Sequence, residues 1–206
     1  MAVALFDNVC LLGPCGVGKT RLLCAMTDRY APGEYSPTIE DNVTCQRYRM
    51  QFFDTAGTDS SVQGTAHLRE MAIEACCFFI IVMPPRIGTD ATQWNTQLAN
   101  IIIVLHRMRG DAFHFILALG GDSFEWKCPA ALTDRLIAVV PLDNAWTPRV
   151  CVQAIRACAD HGIPSSSSSA SPARERPRME RKSSIRKLSQ QLRSSGRQSQ
   201  SGSSDQ

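Results

Sequence analysis

The sequence predicts an α/β fold, a mostly parallel six-stranded sheet flanked by helices, followed by a disordered basic C-terminal tail. Three observations predict it. Apolar runs of strand length alternate with amphipathic stretches over roughly the first 160 residues, the pattern of a parallel sheet covered on both faces. The run Cys76–Met83 (CCFFIIVM) is apolar throughout, as a central strand buried on both faces must be. Residues 13–20 read GPCGVGKT, a glycine-rich phosphate loop placed between a strand and a helix.

Each element follows from local pattern. Phe6–Leu12 is an apolar strand that stops at Gly13, and Gly18–Asp28 (GKTRLLCAMTD) begins the first helix. Asn42–Gln46 and Tyr48–Phe53 lie so close in sequence that they predict a tight antiparallel hairpin. Val62–Ala75 is the second helix and Cys76–Met83 the central strand, which Met83-Pro84-Pro85 leaves stiffly. Asp90–Met108 is the third helix and Phe113–Leu119 the fifth strand. A short helix near Cys128–Asp134, a strand Leu136–Pro141 and a helix Ala145–His161 complete the domain. In a sheet of this kind a ligand sits at the carboxyl ends of the strands, where Gly13, Gly57 and Asp122 are expected to converge.

The loop has a defined chemistry. Successive backbone N–H groups wrap a polyphosphate, Lys19 reaches the β- and γ-phosphates, and the Thr20 hydroxyl binds Mg²⁺. The helix that follows aims its dipole and unpaired N–H groups at the same phosphates.

Two further segments specify the kind of phosphate binder. Thr38, eighteen residues after Thr20, falls in Tyr35-Ser36-Pro37-Thr38-Ile39-Glu40-Asp41, and Asp54-Thr55-Ala56-Gly57 closes the third strand. Together with the loop, these segments resemble the Ras superfamily of small GTPases over about residues 5–160: the first switch of that family reads Y-x-P-T-I-E-D and the second begins D-T-A-G. The resemblance implies a Ras-type P-loop fold that binds GTP or GDP with Mg²⁺. Thr20 and Thr38 would be Mg²⁺ ligands, and Asp54 would hold the ion through water. The Gly57 N–H would bond the γ-phosphate, because only glycine lets the backbone approach so closely. The implied nucleotide set is Gly13, Pro14, Cys15, Gly16, Val17, Gly18, Lys19, Thr20, Tyr35, Thr38, Asp54, Gly57 and Asp122. Lys19, Thr38, Gly57 and Thr58 would serve hydrolysis. Residues 35–41 and 57–70 would be the surfaces that effector and regulator proteins read.

The chain departs from that family at two functions. Where the family reads guanine with N-K-x-D, this sequence has Leu119-Gly120-Gly121-Asp122, so the Asp is kept and the Asn and Lys are not. A lone Asp122 still favours guanine over adenine, which offers no donors there; alternatively it is a turn residue after Gly-Gly. The later S-A-K element has no match near Leu142-Asp143-Asn144, and the ring that flanks the base falls at Ala31, with Tyr30 beside it. Each unmade bond to a buried base costs about 1–3 kcal/mol. For hydrolysis, Thr58 stands where a Gln orients water. Cys15 occupies the third loop position, the space of an arginine finger worth roughly 10³–10⁵ in rate. Both changes point to slow turnover. Cys15, at a helix N-terminus beside Lys19, is alternatively a thiol of lowered pKa and a redox sensor.

Composition divides the 206 residues into two parts, a domain over 1–164 and a tail over 165–206. The tail holds 15 Ser and no aromatic residue, with nine Lys/Arg against three acids; the domain carries 13 against 16. Such a tail cannot offset its ordering entropy. The nine cysteines show no C-x-x-C and no Cys/His pairing, the mark of a reduced cytoplasmic protein using Cys as a small apolar residue rather than a zinc site. No apolar stretch is long enough to span a bilayer. The last Cys lies 48 residues from the end and residue 2 is Ala, so no lipid anchor is expected.

Within Arg178–Arg193, Ile185, Leu188 and Leu192 form one apolar stripe among basic residues. Such a segment suits a calmodulin-like groove or an anionic membrane surface. Arg-Lys-Ser-Ser and Arg-Lys-Leu-Ser are kinase-type sites that a phospho-reader would bind. A solvated tail without a single partner is the alternative. Nucleic acid is not expected, since no aromatic ring is present to stack on bases. The overall expectation is a small GTP-binding switch with slow hydrolysis; the alternative is a pseudo-GTPase interaction scaffold.

Overall fold

The computed structural model describes residues 7–31, 33–34, 36–84, 91–120, 128–142 and 144–160. Tyr35, Pro85, Asp122, Asp143 and the whole of 165–206 lie outside the described residues.

Six strands form one sheet: β1 (Asp7–Leu12), β2 (Glu40–Cys45), β3 (Met50–Thr55), β4 (Phe78–Met83), β5 (His114–Leu119) and β6 (Leu136–Pro141). Their order across the sheet is β2-β3-β1-β4-β5-β6. Every pairing is parallel except β2 with β3, which form the expected antiparallel hairpin with Val43 opposite Phe52. Among the described residues four helices, α1 (Lys19–Met26), α2 (Thr65–Ala75), α3 (Ala91–Arg109) and α4 (Thr147–Asp160), cover the sheet.

β4 shows why the sheet must be covered twice. Phe78, Ile80 and Val82 enter one core with Leu22, Leu23 and Met26 of α1 and Cys151, Val152 and Ile155 of α4. Phe79, Ile81 and Met83 enter the other with Ala72 and Ile73 of α2 and Trp94, Leu98, Ile102 and Leu105 of α3. Alternation across a strand sends successive side chains to opposite faces. All six are fully buried, each contributing about 1.5–3 kcal/mol of transfer free energy.

The differences from expectation are at element ends. β3 starts at Met50 rather than Tyr48 because Gln46–Arg49 make the hairpin turn: Tyr48 N–H donates to Cys45 O, Arg49 N–H donates to Gln46 O, and Arg49 takes φ +55°. α2 starts at Thr65 because Gly64, at φ +86°, turns the chain into the helix. Cys76 is extended at the end of α2, so β4 begins two residues later than its apolar run. In the β5–β6 crossover the described helical element is one 3₁₀ turn, Ala130–Leu132, with Leu132 in the α2/α3 core.

Candidate functional site

The carboxyl ends of β1 and β3 and the start of α1 open into a cleft of about 720 Å³ lined by the 13–20 loop, residues 36–38 and Gly57. That volume is within the range of small-molecule sites. The loop leaves β1 at Gly13, at φ +145°, and Gly16 and Gly18 also have positive φ. A Cβ on Gly13 would stand 2.0 Å from Val82 O, so only glycine lets the loop cross β4 so closely. Val17 packs its side chain toward the α1/α4 core, which leaves its backbone in the loop.

Lys19 opens α1 and is 6% exposed. Its Nζ donates to Gly13 O at 3.1 Å and Pro14 O at 2.8 Å. No carboxylate among the described residues lies within ion-pair distance of it. Burial pushes the ammonium below its ordinary value, and the charge of Asp54 opposes that shift. A buried cation held only by carbonyl dipoles is an incomplete arrangement, since buried charges are normally paired. Such an ammonium suits an anionic partner.

Beside it, Thr20 Oγ1 donates to Asp54 Oδ2 at 2.5 Å and lies 2.9 Å from Thr38 Oγ1. One hydroxyl carries one proton, so Thr38 is the donor toward Thr20. Asp54 Oδ1 is buried without a hydrogen-bond partner. Burial raises the Asp54 carboxyl above its ordinary 3.8, with the Thr20 hydrogen bond and the Lys19 charge opposing. Two hydroxyls and a carboxylate with an orphaned oxygen form an all-oxygen donor set, which suits a hard cation such as Mg²⁺. No group of three or more His, Cys, Asp or Glu that could hold a metal occurs among the described residues.

The segment after Gly57 closes on the loop. Thr58 N–H donates to Gly13 O at 3.0 Å, and Asp59 Oδ1 accepts the Cys15 N–H at 2.7 Å. A Cβ on Gly57 would meet Cys15 Sγ at 2.3 Å and Cys15 N at 2.5 Å. From α2, Arg69 donates to Gly57 O at 3.0 Å. Thr58, Asp59 and Arg69 also line a smaller groove of about 290 Å³ between α2 and α3.

Thus Gly13, Pro14, Cys15, Gly16, Gly18, Lys19, Thr20, Thr38, Asp54, Gly57 and Thr58 share one region. Tyr30, 98% exposed, stands at the rim of the larger cleft. At the opposite end Leu142 N–H donates to Leu119 O, and Leu142 Cδ2 would lie 3.8 Å from a Cβ on Gly18. The expectation of a lowered Cys15 pKa is corrected. Burial raises that thiol, and the Asp59 hydrogen bond and charge raise it further against the opposing pull of Lys19. Asp59 and Arg69 fall within the expected 57–70 surface but carry no motif that marks them as site residues. Their only signal was position, just beyond D-T-A-G.

Comparison with known proteins shows a partial likeness. A Ras family profile matches residues 8–102, from β1 into α3. Over that span the chain is similar to the Ras family. It is similar to the Ras-like protein rasZ of Dictyostelium discoideum, 31% identical over 108 residues, 48% of each chain. To rasW of the same organism it is 33% identical over 81 residues, 36% of each. To rasV it is 29% identical over 106 residues, 48% of this chain and 44% of that one. The chain spans about half the length, or less, of these relatives. The GPCGVGKT loop, residues 35–41 and D-T-A-G all lie within the matched span; β5, β6 and α4 lie outside it. Among the described residues no helix is long and apolar enough to cross a membrane.

Proposed function

We propose that the protein binds a guanine nucleotide together with Mg²⁺ in the loop cleft and acts as a molecular switch with slow hydrolysis. The observation that carries this reading is Lys19, a buried ammonium with carbonyl partners and no anion, next to an orphaned carboxylate oxygen. A polyphosphate supplies the anion, and the cation it brings answers Asp54.

In this reading the backbone N–H groups of 13–20 bind the phosphates, Lys19 bridges them, and the Gly57 N–H meets the γ-phosphate. Thr20 and Thr38 would be the residues that hold Mg²⁺, with Asp54 acting on it through water. The ion, when bound, offsets phosphate charge. Residues 35–41 and 57–70 change shape with the γ-phosphate and present that change to effector and regulator proteins. Thr58 orients water poorly, and Cys15 fills the space an activating arginine would take, so turnover is slow. Asp122 reads the base. The domain over 1–164 works in the cytoplasm; the tail over 165–206 meets a calmodulin-like protein, a phospho-reader or an anionic membrane surface.

A second reading, a pseudo-GTPase scaffold, is favoured by one specific feature: the loop's Cys15 N–H is already taken by Asp59. Titration of the full chain with fluorescent GDP, GTP and ATP analogues, with and without Mg²⁺, separates the two. Mg²⁺-dependent binding of the guanine forms alone supports the switch. A folded protein that binds none at micromolar concentration supports the scaffold.

A further inference from the structure

Asp59 occupies a place in the loop that a ligand anion would contest. Its Oδ1 accepts the N–H of Cys15, the third residue of GPCGVGKT, at 2.7 Å. The contact is held from three sides. Thr58 N–H is bonded to Gly13 O, the Gly57 backbone lies against Cys15 with no room for a side chain, and Arg69 holds Gly57 O. Partial burial would raise the Asp59 carboxyl, but hydrogen bonds from Cys15 and the Lys19 charge together lower it, so it stays ionised at neutral pH. The loop therefore carries an anion of its own, bonded to one of its N–H groups and within the field of its lysine.

We propose that Asp59 is a specificity determinant of the nucleotide site, an internal competitor for the terminal phosphate that makes the loop prefer a nucleoside diphosphate to a triphosphate. The inference rests on the nucleotide reading above. Lys19 reaches the β- and γ-phosphates, and the third phosphate lies on the Gly57 side of the loop, two residues from Asp59. That group brings further negative charge to the carboxylate side, and two anions sharing donors repel. A carboxylate has no proton to donate to a phosphate. For the triphosphate to bind, Asp59 must leave Cys15, and the segment fastened through Thr58 and Arg69 must move with it. A diphosphate leaves that segment in place.

The test is the ratio of triphosphate to diphosphate affinity in the full chain, measured with fluorescent GTP and GDP analogues in Mg²⁺. Three variants are compared with wild type: Asp59→Asn, Asp59→Glu and, as a control for net charge, Glu74→Gln on the exposed side of α2. Asp59 is exposed, so these changes leave the core intact, which circular dichroism checks. Asp59→Asn is expected to shift the ratio toward the triphosphate by about tenfold, a coupling of ordinary size. Asp59→Glu keeps most of the diphosphate preference, and Glu74→Gln leaves the ratio unchanged. Guanine nucleotide binding with the same ratio in wild type and Asp59→Asn overturns this inference alone. An equal shift in Glu74→Gln also overturns it, because net charge then suffices. Absence of binding in wild type and in all variants overturns the nucleotide reading and this one with it.

Discussion

Thr20, at the start of α1, and Asp54, near the end of β3, are joined by a 2.5 Å hydrogen bond that uses one carboxylate oxygen and leaves the other buried with no partner. The bond ties the first helix to the third strand, thirty-four residues on, and keeps a carboxylate in a place where burial opposes its charge.

That strain has a pH signature. The folded pKa of Asp54 is raised above its ordinary 3.8, so between that value and the raised one the folded protein binds more protons than the unfolded chain. Ligand-free stability therefore falls as pH rises through this window and is regained on acidification. Asp7, also raised, contributes with the same sign, and Asp59, lowered, with the opposite one. Urea melts from pH 4 to 7 are expected to lose the Asp54 part of this slope in Asp54→Asn. An unchanged slope would show that Asp54 is not responsible.

Lys19→Met separates stability from binding. Replacing an unpaired buried ammonium by an apolar chain of similar length removes a desolvation cost, so the ligand-free melting temperature rises by a few degrees or holds. Nucleotide affinity falls at least about a hundredfold. A clear loss of ligand-free stability would mean that the two carbonyl hydrogen bonds outweigh the burial cost.

Gly13→Ala is expected to destabilise by about 2–4 kcal/mol, because its Cβ would meet a backbone oxygen at 2.0 Å from a φ of +145°. Gly16→Ala, at φ +72° with nothing within 4 Å, costs only the backbone strain, about 1 kcal/mol. Chemical denaturation of the two variants gives the comparison, and equal losses would refute the steric account.

Thiol chemistry reports the Asp59 contact independently of any nucleotide. Cys15 is exposed, yet burial and Asp59 both push its thiol up. Its alkylation at pH 7 is therefore slow and accelerates above pH 9. Asp59→Asn shifts that profile to lower pH. Cys151, pushed up to about 12 in the core, reacts only on unfolding. An unchanged Cys15 profile in Asp59→Asn would show that burial alone sets its pKa.

Much of this was legible in the sequence because the fold is written in period and punctuation. The CCFFIIVM run announced a doubly buried strand, and GPCGVGKT announced a turn that glycine alone can make. The β2–β3 hairpin followed from the short gap between two runs. Element ends were less legible: Tyr48 reads as strand, but its residue sits in a turn set by the Arg49 backbone, and Cys76 reads as strand although α2 ends there. Lys19, Thr20 and Asp54 stood out by residue type and motif, and the fold brings Thr20 and Asp54 into direct contact. Asp59 and Arg69 did not stand out, because their partners are backbone atoms of Cys15 and Gly57. A backbone group accepts or donates regardless of the side chain it bears, so no pairing of residue types announces such contacts.

The contact between Gly57 and Cys15 has a consequence for how the two positions can vary. Any β-carbon at 57 strikes the backbone of residue 15 as well as its side chain, so shrinking residue 15 to glycine cannot make room for it. The interference is therefore one-way: position 15 is free to sample side chains in the cleft, while 57 tolerates none until the loop itself is displaced. A library randomised at both sites should recover many residues at 15 and glycine alone at 57.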